Sequence, residues 1–138
     1  MMAPIVKYDN FELLDGGIPA PIPIEKSISD GNRFHVIVLT QNNGYTKKPF
    51  TKTALAKIIY RKYPNVVKTL IKRHEIYNRQ LALCEELEKE GKAIIIRPKE
   101  PLQVGRTTRD TKLLLELYDE GHRECNEVVE RIINHGNI

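Results

Sequence analysis

Two short apolar blocks organise the chain. His35-Val36-Ile37-Val38-Leu39 and Ala93-Ile94-Ile95-Ile96 each predict a buried strand. The apolar residues of the first block do not alternate with polar ones, which predicts cover on both faces, as in a parallel sheet. Between the blocks, Val66, Val67, Leu70, His74, Tyr77, Leu81, Cys84 and Leu87 recur at helical spacing. Asn65 is the expected cap of this helix and Gly91 its stop. A shorter helix is expected before it, capped by Thr51 or Thr53 and running to about Tyr63, ahead of Pro64. A last helix is expected from Thr108 or Asp110, with Leu114, Leu117, Tyr118, Gly121, Cys125, Val128 and Ile132 on its apolar face. Strand, helices, strand and helix together predict an α/β fold, in which right-handed crossovers make two parallel strands with flanking helices. Two strands leave sheet edges open, so a missing N-terminal part or self-association is expected to cover them.

Residues 1–34 read differently. Pro19, Pro21 and Pro23 alternate with Ala20, Ile22 and Ile24. Proline fixes φ and lacks an amide donor, so this is an extended or irregular segment rather than a central strand. A short helical turn is expected near Ile24–Ile28, stopped at Asp30-Gly31-Asn32. The chain therefore divides into a loop and proline-rich segment, 1–34, and an α/β part, 35–138.

Composition narrows the field. The 138 residues carry a formal net charge of +4 and are 41% apolar, enough for a globular core. Positive charge concentrates between Lys47 and Arg79, where Glu75 is the single acid, while Asp119, Glu120, Glu124, Glu127 and Glu130 make the last helix acidic. Mixed surface patches account for this without nucleic acid as a partner. Cys84 and Cys125 have neither metal nor redox spacing and read as small apolar residues, consistent with a reducing compartment. No basic-then-apolar leader opens the chain, and no apolar run approaches the roughly 20 residues of a membrane span. The expectation is a cytoplasmic protein, with peripheral membrane contact as an option.

The chemistry centres on Leu14-Asp15-Gly16-Gly17-Ile18. A carboxylate beside two glycines suits a tight turn that aims Asp15 into a cleft, where it can accept a proton or orient a base. Asp-Gly-Gly is also an ordinary structural turn. No Gly-x-Ser-x-Gly occurs in the chain, and Ser27 and Ser29 read as caps of backbone groups. His35 opens its strand and is expected to face solvent. His74 reads as a core or boundary residue, and with His122 and His135 it makes no metal-ligand pattern, so no metal site is expected. Arg97, Arg106 and Arg109 flank the connection into the last helix. They suit either an anionic head group or acidic side chains that pin the connection; pinning is the favoured reading.

The chain resembles the C-terminal part of a bacterial patatin-like phospholipase. The resemblance rests on Leu14-Asp15-Gly16-Gly17-Ile18 with Ile22-Pro23-Ile24, and on His35-Val36-Ile37-Val38-Leu39-Thr40. It continues through Arg73-His74-Glu75-Ile76-Tyr77-Asn78, Gly91-Lys92, Ile96-Arg97-Pro98, Pro101-Leu102, Val104-Gly105-Arg106 and Leu117-Tyr118-Asp119-Glu120-Gly121. It implies part of a three-layer α/β/α fold and hydrolysis of lipid acyl esters by a Ser-Asp dyad, with no cofactor. Asp15 would be the dyad carboxylate, Gly16 and Gly17 would shape its turn, and the serine would lie outside this chain. The chain alone is then expected to be inactive. The rival expectation is a noncatalytic module that binds anionic lipid surfaces or a partner protein.

Overall fold

The computed structural model describes residues 4–105 and 107–136. The fold is mixed α/β, with two small sheets and helices between and after them. The elements are β1 (Val6–Tyr8), β2 (Phe11–Leu13), α1 (Ile24–Ser29), β3 (His35–Val38), α2 (Thr53–Ile59), α3 (Pro64–Lys89), β4 (Ala93–Ile96), α4 (Thr111–Asn126) and α5 (Val129–Gly136).

The chain forms two compact units, each discontinuous in sequence. The first comprises Met1–Lys26 and Thr46–Leu83; the second comprises Ser27–Tyr45 and Cys84–Ile138. Neither unit begins or ends at residue 34.

In the first unit, β1 and β2 form an antiparallel hairpin that the sequence pattern did not reveal. Asp9 turns it with φ +51°, a left-handed conformation that Asp tolerates better than most residues. Ala56, Tyr60 and Val67 form a buried cluster, with Ile5, Leu14, Phe50, Tyr63, Val66 and Leu70 packed against it. Ala56 and Tyr60 are four residues apart, so α2 and its C-terminal cap turn one stripe inward. The helix caps differ from expectation. Lys52 is the N-cap of α2 and makes no side-chain cap bond, while Thr53 is already helical. Pro64, not Asn65, opens α3, because proline's fixed φ suits a first helical position and its missing amide would be unpaired there anyway.

The proline-rich segment packs rather than pairs. Ile18, Ile22 and Ile24 are buried. Ile22 lies between two prolines, and its amide donates to the side-chain carbonyl oxygen of Gln80 at 3.0 Å. The buried amide is thus satisfied without a ladder. Polar residues of α3 hold three segments of this unit. Arg73 binds Gly17, Gln80 binds Ile22, and Asn78 exchanges two bonds with the backbone of Lys47, at 2.8 and 3.1 Å.

In the second unit, β3 and β4 pair in parallel, with His35 opposite Ala93 and Val38 opposite Ile96. The expected double cover of β3 is corrected: Ile37 and Leu39 are buried, but Val38 is 71% exposed and Val36 is exposed as well. A continuous apolar run does not by itself dictate two covered faces, because β-branched residues also favour the strand backbone. His35 is corrected too. It is 6% exposed, with Nδ1 3.0 Å from the Ser27 hydroxyl, which also accepts from the Asn32 side-chain amide. Asp110 caps α4 by accepting from the amides of Lys112 and Leu113. The expected single last helix is broken at Glu127-Val128, where the Val128 amide bonds Cys125 instead of continuing the regular ladder.

No described helix is long and apolar enough to cross a membrane.

Candidate active-site turn

Asp15 follows β2 and starts a turn that it partly builds itself. Its Oδ1 accepts from the Gly17 amide at 2.8 Å, and its carbonyl accepts from the Ile18 amide at 3.1 Å. An Asp carboxylate bonding its own backbone two residues on is the usual device for closing such a turn. The Gly16 carbonyl accepts from Ala20 at 3.1 Å and extends the turn toward the prolines. Asp15 is exposed, and among the described residues the Gly17 amide is the sole hydrogen-bond donor to its carboxylate.

The two glycines are not equivalent. Neither has the left-handed φ that Gly31, Gly44 and Gly91 adopt. A Cβ on Gly16 would meet nothing within 4 Å, whereas one on Gly17 would lie 3.2 Å from Asp15 Oδ1 and 3.8 Å from Arg73 Nη2. Gly17 therefore keeps space between the carboxylate and the guanidinium, while Gly16 stands in the open. Arg73 also donates from Nε to the Gly17 carbonyl at 2.7 Å. Arg73 opens one of the motifs that carry the resemblance, but the sequence assigned it no role at the Asp15 turn. It lies 56 positions from Gly17, beyond the reach of any local spacing rule.

Two of the three arginines lie among the described residues. Arg97 is half-buried and ion-paired to Glu85 at 2.8 Å, so its guanidinium ties the end of β4 to α3. Arg109 is exposed just before the cap of α4. Arg106 lies outside the described residues. Among the described residues no group of three or more His, Cys, Asp or Glu side chains is placed to hold a metal ion.

The second unit contains an apolar cleft of about 320 Å³ at the carboxyl ends of the two parallel strands, between Val38, Leu39 and Ile96 on one side and Leu117, Gly121 and Cys125 of α4 on the other. Arg97, Glu120 and Glu124 stand among the lining residues. Two of these three charges are committed: Arg97 to Glu85, and Glu124 to Lys99 at 3.0 Å.

A family model described as a domain of unknown function, DUF6363, matches residues 63–135, just over half of the chain, and the chain belongs to that family. The match spans α3, β4 and α4 but not Asp15. No curated protein matches the chain. No solved structure matches it.

Proposed function

We propose that this chain is the carboxylate-bearing, C-terminal portion of a patatin-like acyl-ester hydrolase acting on lipid substrates. In this reading Asp15 completes a Ser-Asp dyad with a serine from outside these 138 residues. The observation that supports it most is the Asp15 turn: an exposed carboxylate is bonded to one backbone amide, and the same glycine is held on its carbonyl by Arg73. A dyad carboxylate must be held in one geometry yet remain open to a hydroxyl, and this turn meets both requirements. The serine would attack the ester carbonyl as Asp15 accepts or directs its proton, and water would then release the acyl group. Such chemistry requires no metal or organic cofactor. The parallel pair would belong to a three-layer α/β/α domain, whose further layer would cover exposed Val36 and Val38.

The test uses the complete protein encoded by the reading frame that contains this chain. Asp15→Asn is expected to lower its ester turnover by about 10²-fold or more. Folding should be little changed, because an Asn side-chain oxygen can still accept from the Gly17 amide. The isolated chain is expected to show no dyad-based turnover. Undiminished hydrolysis in the Asn variant would reject the assignment.

A further inference from the structure

The β1–β2 hairpin carries its apolar residues on the wrong side for a core. The register pairs Val6 with Leu13 and Tyr8 with Phe11, so alternation puts all four side chains on one face. That face is open: Tyr8 is 68% exposed, Phe11 66%, and Val6 and Leu13 are exposed beside them. The opposite face is polar. There Lys7 pairs with Glu12, and Glu12 accepts a 2.8 Å bond from the Tyr63 hydroxyl. The first unit is also strongly basic, with twelve Lys or Arg against five Asp or Glu, whereas the second has ten against thirteen.

We propose that this hairpin is a membrane-docking element, seating Val6, Tyr8, Phe11 and Leu13 in the interfacial layer of an anionic lipid bilayer while the cationic surface of the first unit is drawn to the head groups. The two features act together. Exposed aliphatic and aromatic side chains gain from entering the boundary between head groups and acyl chains. The Lys and Arg of the first unit add attraction to an anionic surface that salt weakens. Tyr8 supplies an amphipathic ring suited to that boundary. A second copy of the chain fits less well, because it would bring two units of like charge together. Nucleic acid would set phosphates against an apolar face. This inference does not depend on the hydrolase reading, since docking requires neither Asp15 nor turnover.

The experiment is flotation of the 138-residue chain with vesicles of phosphatidylcholine alone or mixed with phosphatidylglycerol, at about 0.05 M and about 0.5 M salt. Binding is expected to the anionic vesicles at low salt and to fall sharply at high salt. The double variant Tyr8→Ser/Phe11→Ser is expected to bind roughly tenfold or more weakly, with an unchanged circular dichroism spectrum. The chain has no tryptophan, so Phe11→Trp supplies a single reporter whose emission should shift to shorter wavelength only with anionic vesicles. Flotation is read on a chain expected to show no turnover of its own, which separates this test from that of catalysis. No flotation at low salt, equal flotation of the double variant, or an unmoved indole emission in Phe11→Trp would each overturn the proposal. So would self-association that the double variant abolishes in the absence of lipid binding.

Discussion

The Nε atom of Arg73 donates to the carbonyl oxygen of Gly17 at 2.7 Å, joining the middle of α3 to the turn that carries Asp15. The bond is part-buried, and its donor is charged. Removing it in Arg73→Ala should destabilise the chain by about 1.5–3 kcal/mol, read as a lower urea midpoint with unchanged slope. Arg73→Lys should recover only part of this loss, because an ammonium lacks the planar fork that places Nε on the carbonyl while Nη2 stands beside Gly17. Full stability in the alanine variant would mean that the turn closes on its own Asp15–Gly17 bond.

This relationship marks the limit of what the linear sequence conveys. The β3 and β4 blocks, their parallel pairing, the long α3 and the Asp110 cap were legible, because each rests on local pattern or on short-range handedness. The hairpin was not. Its strands alternate apolar and polar residues but are three residues long, too short for the alternation to stand out. Burial of His35 was equally hidden, since it depends on Ser27 from another element. Asp15 stood out by its Asp-Gly-Gly motif, but the bond from Arg73 to the Gly17 carbonyl of that turn is visible only when distant segments meet.

Gln80 is nearly inaccessible and serves two neighbours, accepting from the Ile22 amide and donating to Glu25 Oε2 at 3.0 Å. Replacing it by Leu strands a buried amide and should cost about 1–3 kcal/mol. A pH effect should accompany this. The Gln80 hydrogen bond, aided by Arg79, holds the Glu25 carboxyl below its ordinary range against the opposing effect of burial. A group with a depressed folded pKa contributes stability above its unfolded value and loses it as pH falls through the folded value. Stability curves from about pH 7 down to about pH 3 should therefore show an acid-side loss that is smaller in Gln80→Leu. Parallel curves for the two proteins would contradict this.

Gly91 ends α3 with φ +70°, and the amides of Gly91 and Lys92 cap the last turn on Glu88 and Leu87 at 3.0 and 2.8 Å. No atom crowds the place where its Cβ would sit, so the cost of Gly91→Ala is purely conformational. That cost should be about 1–2 kcal/mol, measured by thermal or urea unfolding. Gly16→Ala, with equal space and no left-handed φ, is the matched control and should change stability by less than about 0.5 kcal/mol.

The two thiols should behave differently. Cys84 is fully buried, and burial, reinforced by the neighbouring Glu85, pushes its pKa up to about 11. Cys125 is only partly covered, beside the apolar cleft. At about pH 8 a thiol reagent should label Cys125 first, and Cys84 should react only through opening of the fold. Peptide mass spectrometry over time distinguishes the two sites, and equal rates would contradict the burial of Cys84. The raised pKa also has a sign for stability. The protonated thiol favours the folded state, so its contribution is complete below the unfolded thiol value of about 8.5 and is lost as pH rises toward 11. Cys84→Ala removes the titrating group, so its unfolding free energy should fall less steeply above about pH 9 than that of the original chain, even though the variant starts from a lower value because of the small cavity it leaves.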